Sequence, residues 1–157
     1  MKSFLGRTDL PRGLRNNNPG NLIKTNSKWQ GIIVPGSDLR FVQFENIYYG
    51  IRAKLYDIIG DITDRKQNTI RKLITAYAPP FENDTNAYIN AVVKATGITA
   101  DTPIPLTESF LVKLSKVIMD VENGRQYSNL ITESDIKQAI NMLPTSLKKK
   151  LLLGGLG

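Results

Sequence analysis

The stretch FLVKLSKVIMDVENG, Phe110 to Gly124, decides how this chain reads. At 3.6 residues per turn, Phe110, Leu114, Val117, Ile118 and Val121 fall on one stripe, the pattern of a helix with its apolar face in a core. Glu122 lies one turn beyond Ile118, at the edge of that stripe, while Asp120 points well away. Asn123-Gly124 then supplies a stop. A carboxyl at the end of a core helix, against apolar neighbours, holds its proton more readily than one in water. Glycosidic cleavage needs such a proton donor. The plainer reading is a half-exposed glutamate ahead of a glycine cap. Spacing alone favours it, because such glutamates are common.

Working outward, Thr107 starts this helix, with Leu106 and Leu111 spaced as a hydrophobic staple. Upstream, Ile47, Ile51, Leu55, Ile58 and Ile62 recur at helical steps behind Asn46, a suitable N-cap. Ile70, Leu73, Ile74 and Tyr77 mark a second helix, stopped by Pro79-Pro80. Ala87, Tyr88, Ala91, Val92 and Ala95 mark a third, capped by Asn83 or Asp84 and ended by Gly97. Downstream, Thr132 and Asp135 have capping-box spacing. Pro144 ends that helix, and Thr145 or Ser146 opens a short last one. Near the front, KWQGIIV and RFVQF predict two short strands joined through Pro35-Gly36-Ser37-Asp38. The expected fold is mainly α, an α+β single domain over 1–157, with a small β-hairpin near the N-terminus, an arm over 1–11 and a short C-terminal helix and tail over 144–157.

Composition narrows the chemistry. The chain of 157 residues has no cysteine and no histidine. That excludes disulfides, thiolate nucleophiles, Ser-His and Cys-His systems and most zinc sites. Catalysis has to rest on Asp, Glu, Tyr, Lys or bound ions. The hydrophobic share of 41% and charged share of 22% are those of a globular protein. A formal charge of +7 points to a polyanionic partner, either nucleic acid or the bacterial envelope. The basic residues are spread out, except for Lys148-Lys149-Lys150, and do not interleave with aromatics as in single-strand binders. No secretory signal is expected in MKSFLGRTDLPRG, and no segment is apolar enough to span a membrane.

A second unusual stretch is RGLRNNNPGNLI, Arg12 to Ile23. Pro19-Gly20 makes a turn, and asparagines flank it. Their amides carry donors and acceptors suited to sugar hydroxyls and acetamido groups. Asn16 and Asn17 are assigned first to the turn's own backbone, and Asn18 and Asn21 to a cleft. Trp29, the sole tryptophan, either stacks on a sugar or closes the hairpin onto the helices. Tyr77, at its helix end, is a better site candidate than Tyr88. Glu82 is the rival acid. Beside a helix N-terminus its ionised form is favoured, which suits a base or substrate anchor. Glu45 also precedes a helix and reads as structural.

VIMDVENGRQY, Val117 to Tyr127, resembles the helix-end Glu-Ser-Gly signature of lysozyme-like glycosidases and lytic transglycosylases. PGNLIKTNSKWQG with FVQFENIYYGIRAKL, and AYAPPFENDTNAYINAV, resemble segments of bacterial endo-N-acetylglucosaminidases. Taken together, RGLRNNNPGNL, PPFENDTNAYI and ENGRQ resemble a group of phage and prophage virion or lysozyme-like proteins, over roughly residues 10–130. In the glucosaminidases the glutamate helix precedes the Asn-Leu turn, and here it follows. The resemblance therefore implies a circularly permuted lysozyme-like fold, with the Glu122 helix beside the asparagine turn in space.

It also implies a function. The expected activity is cleavage of peptidoglycan glycan strands between N-acetylated amino sugars, with Glu122 as general acid and Glu82 as the rival carboxylate. Asn18, Asn21, Trp29, Tyr77, Asn83, Tyr88 and Gln126 are the expected glycan contacts. No cofactor or metal is expected. The implied partners are peptidoglycan, other virion proteins or a holin, rather than nucleic acid. The implied location is the virion, or the host cytoplasm before release to the cell wall. Two other classes compete: a non-catalytic virion protein that keeps a glycan-binding fold, and a basic nucleic-acid-binding protein.

Overall fold

The computed structural model describes residues 1–80 and 84–156, with side chains as far as Leu152. The protein is mainly helical. Helix α1 spans Arg12–Arg15, α2 Ile47–Thr63, α3 Ile70–Tyr77, α4 Thr85–Thr96, α5 Glu108–Asn123, α6 Glu133–Asn141 and α7 Thr145–Leu156. A 3-10 turn, Arg125–Leu130, links α5 to α6. Neither it nor α1 is signalled by the apolar spacing, because both are too short to show a period.

Helix starts follow the cap chemistry. Asn46 Oδ1 accepts from the amides of Tyr48 and Tyr49, and Thr107 accepts from Phe110. Asp84 accepts from Ala87. The other candidate cap for α4, Asn83, lies outside the described residues. Thr132 and Asp135 form a complete capping box. Gly97 closes α4 in the left-handed region, at φ 80°.

Helix α5 is the centre of the molecule. It packs on α1, α2, α4, α6 and α7. The stripe of Phe110, Leu114, Val117 and Ile118 is buried, but so are Leu111, Val112, Ser115 and Met119. Burial thus extends nearly round the helix, and Ser115 satisfies its hydroxyl on the carbonyl of Leu111 at 2.7 Å. Truncating Leu114 or Ile118 to alanine should cost about 2–5 kcal/mol. The N-terminal arm belongs to the same core. Phe4 is buried in it, and Lys2 pairs with Asp135 at 2.6 Å.

The expected hairpin is not formed as continuous strands. Among the described residues there are isolated antiparallel bridges, Ile23 with Phe41 and Ile32 with Phe44. The reason lies in the asparagine run. Phe44 donates its amide to the Asn16 carbonyl at 3.0 Å, while its own carbonyl accepts from Asn17 Nδ2 at 3.0 Å. Val42 gives its amide to the Leu22 carbonyl and its carbonyl to Asn18 Nδ2. The 41–44 segment therefore bonds to the 16–24 loop as well as to its neighbour, and no ladder propagates. Val42, Phe44 and Ala53 form a small second core with Leu22, Trp29, Ile32 and Tyr49, which seats this segment on α2.

Candidate functional site

The asparagine turn and the end of α5 meet. Asn123 Nδ2 donates to the carbonyl of Pro19 at 2.8 Å. A Cβ on Gly13 would lie 2.4 Å from Asn123 Oδ1 and 2.5 Å from Asn21 Oδ1, so α1 reaches this junction only as glycine. Beside the junction opens a cleft of about 420 Å³. Gly20 to Ile23 form one wall, with Thr25, Ser27 and Trp29 continuing it. Lys54 and Asp57 from α2, Tyr77 from α3 and Glu122 from α5 complete it.

Several of its polar side chains are held by hydrogen bonds or ion pairs. Glu122 is half-buried, and its Oε1 accepts from the hydroxyl of Tyr88 at 3.1 Å. Burial pushes the Tyr88 phenol up, reinforced by the Glu122 charge and by that hydrogen bond, so the hydroxyl remains a donor. Tyr77 donates to Asp61 Oδ2 at 2.8 Å. Asp61 also pairs with Arg65, whose Nη2 reaches Asp57 Oδ1 at 3.3 Å. Burial pushes the Asp57 carboxyl up, the nearby Lys54 charge opposing it. Burial pushes the Lys54 ammonium down, against the charges of Asp57, Glu122 and Asp61. The Lys54 ammonium lies 4.1 Å from the centre of the Tyr77 ring, a cation–π contact. Trp29 stands edge-on to Tyr56 at 5.7 Å.

The sequence candidates separate on this geometry. Asn21, Trp29, Tyr77 and Glu122 share the cleft. Tyr88 stands behind it and touches Glu122. Asn18 is a correction. It is fully buried, with Nδ2 on the carbonyls of Leu22 and Val42 and Oδ1 on the amide of Leu22, all at 2.9 Å. Nothing of it faces a ligand. Gln126 is a second correction: it is exposed on the 3-10 turn and packs beside Gly124, outside the cleft lining. Glu82 and Asn83 lie outside the described residues. Glu45 is exposed and away from the cleft.

Sequence reasoning missed Lys54, Asp57 and Asp61. A signal existed. Steps of three and four put these three on one face of α2, bordering the stripe from Ile47 to Ile62. A lysine followed by two aspartates on a core helix is a polar seam that a strictly apolar reading passes over.

A cationic groove of about 550 Å³ lies on the opposite face of α5, lined in part by Lys94, Lys113, Lys116 and Arg125. Lys116 is already paired with Asp120 at 2.7 Å, which also accounts for the direction Asp120 takes. No aromatic side chain lines this groove among the described residues.

Fold and cleft together define a mainly helical protein with an acidic, aromatic-edged cleft that holds one buried lysine. The chain belongs to a bacteriophage protein family: over 133 residues it is 35% identical to Protein P5 of Pseudoalteromonas phage PM2, an alignment covering 83% of this chain and 80% of that relative. No protein-family model matches it. No helix of the described residues is long and apolar enough to cross a membrane.

Proposed function

We propose that this phage protein cleaves the glycan strand of peptidoglycan between N-acetylated amino sugars, using a circularly permuted lysozyme-like fold. The observation that carries the reading is the meeting of Glu122 with the Asn21 turn, Trp29 and Asp57 around one open cleft. Loops line one side of the cleft and helices the other, and in this reading Glu122 serves as the proton donor and Trp29 as the sugar-stacking aromatic. The phage family is in keeping with a protein that acts in lysis or travels in a virion to breach the wall.

In this reading Glu122 gives its proton to the glycosidic oxygen, and the bond from that oxygen to the sugar carbon breaks with its electron pair going to the oxygen. The Tyr88 hydroxyl fixes which carboxyl oxygen faces inward, because it occupies Oε1. The positive charge left on the sugar carbon faces Asp57. The carbon is then taken either by water, giving a hydrolysed end, or by the sugar's own 6-hydroxyl, giving an anhydro end. In both cases the attacking oxygen returns a proton to Glu122.

Mass spectrometry of peptidoglycan fragments after digestion tests the activity, the bond and the product end together. Glu122→Gln should lose about 10²–10⁴-fold in turnover while still folding and sedimenting with walls. Glu82→Gln should weaken lysis and retain turnover. Near-normal lysis by Glu122→Gln, with a dead Glu82→Gln, would move the acid role to Glu82. Wall binding by the wild type with no fragments released would leave a virion protein with a glycan-binding fold.

A further inference from the structure

We propose that the Lys54 ammonium is the receptor for the acetamido carbonyl oxygen of the sugar in the cleft, and so makes the site prefer N-acetylated sugars over those with a plain hydroxyl. The inference rests on the glycan reading above and names the residue that enforces it.

Lys54 is only 5% exposed, which is rare for a lysine. Its stem runs beneath the Pro19-Gly20 turn. A Cβ on Gly20 would sit 2.3 Å from Lys54 Cδ, so the turn is shaped to let that stem pass. The four methylenes are thereby covered and the charged tip emerges at the cleft wall. Yet the ammonium makes no hydrogen bond among the described residues; it meets the Tyr77 ring face and feels the charges of Asp57, Glu122 and Asp61. Arg65, the neighbouring cation, has taken Asp61. An ammonium on a buried stem, with three donors that no protein acceptor takes, is open to an acceptor offered from the cleft.

The lining decides what that acceptor is. Lys54 is the one cation on the cleft wall among the described residues, against the carboxylates of Asp57 and Glu122. The Asp57 carboxylate already offsets the one cation, so a further anion is not drawn in. Sugar hydroxyls can donate to those carboxylates and need no cation. An acetamido carbonyl can only accept, so it calls for a donor, and Lys54 is the charged donor left without one.

The test compares chitotetraose with cellotetraose, which carries a hydroxyl in place of each acetamido group. Isothermal titration should show wild type binding chitotetraose more tightly by at least about tenfold. Lys54→Met keeps the length and the apolar stem of the side chain. That variant should lose about 10- to 100-fold for chitotetraose, the worth of a hydrogen bond to a charged group, and little for cellotetraose. In the wild type, the Lys54 Nζ resonance of ¹⁵N-lysine protein should shift with chitotetraose and stay put with cellotetraose, a readout that does not depend on the variant folding. Equal binding of both sugars by wild type, a still Nζ resonance, or an unchanged ratio in Lys54→Met overturns the inference. Wall digestion combined with any of these leaves the enzyme reading standing. Lys54-dependent selectivity in a protein that releases no wall fragments does the reverse.

Discussion

The loop from Asn16 to Glu45 is buried at its two ends, 16–20 and 42–44, and the helices that follow are buried on their inner faces, but different bonds hold them. In α2 and α5 the backbone satisfies itself, and apolar side chains fill the core. In the loop side chains take up many of the backbone groups that no other backbone group pairs. Asn17 Oδ1 takes the amide of Phe4, and its Nδ2 bonds Ser3 and Phe44. Asp38 receives Arg12 in a two-pronged pair, both contacts at 2.7 Å, together with Asn16 and the amides of Arg40 and Phe41. Gln43 ties Asn16 to Ser37. A helix keeps its backbone hydrogen bonds when one side chain is lost, whatever the core loses. The loop loses backbone partners with each amide removed, and buried groups left unpaired are costly.

The seam between the two regions is where the largest effect should appear. Gly50 of α2 faces the asparagine run so closely that a Cβ would lie 1.7 Å from the carbonyl oxygen of Asn17. Asn17 is fully buried and sits in the left-handed region at φ 53°, so it has little freedom to retreat. Gly50→Ala should cost about 3 kcal/mol or more, at or beyond the upper end for overpacking. Urea unfolding checks it. A cost below about 1 kcal/mol would show that the loop floats on the helices rather than being keyed to them.

This contrast also explains what the sequence disclosed. The main helices were legible because Ile47 to Ile62 and Phe110 to Val121 repeat at helical spacing and because their caps are Asn46, Thr107 and Thr132. The approach of Glu122 to the asparagine turn was legible only through family resemblance. The hairpin was misjudged because β-forming residues report local preference, whereas Asn16, Asn17 and Asn18 decide where the 41–44 backbone bonds. The burial of Asn18 has the same cause: an amide that suits a sugar suits a carbonyl equally well. Why asparagine is spelled so often has a further answer. Asn17 and Asn21 both adopt positive φ, at 53° and 52°, which asparagine tolerates better than most residues.

A helix cap provides the moderate case. Thr132 accepts from Asp135, and Asp135 accepts from the Thr132 amide at 2.9 Å. Thr132→Ala should cost about 1 kcal/mol, the usual loss for a cap, and leave α6 in place because Ile136, Ala139 and Ile140 remain buried. Thermal unfolding measures it. A loss as large as that of Gly50→Ala would blur the distinction between helices that hold themselves and a loop that does not.

The smallest effects should be in the pH dependence of stability, where the two regions carry opposite signs. Arg12 beside Asp38 holds that carboxyl well below the usual aspartate value of about 3.9, with the Arg40 and Phe41 amides and Asn16 helping. Above that value the folded and unfolded forms both leave Asp38 ionised, and the stabilisation is fully present. As pH falls below it the unfolded chain takes up the proton first, so stability declines. The Arg12 side chain is exposed, so solvent screening limits the size of this decline. Asp57 behaves in the other direction. Its burial raises the folded carboxyl above about 3.9, so the folded protein binds the proton more tightly. Its contribution is present below that value and is lost as pH rises through the folded pKa. Asp38→Asn should therefore flatten the acid side of a stability–pH curve, and Asp57→Asn should remove a decline on its less acid side. Urea unfolding across pH 3 to 7 separates the two. Slopes of the same sign for both variants would mean that the cleft wall does not desolvate Asp57, and that its carboxyl belongs with the solvated, ion-paired chemistry of the loop.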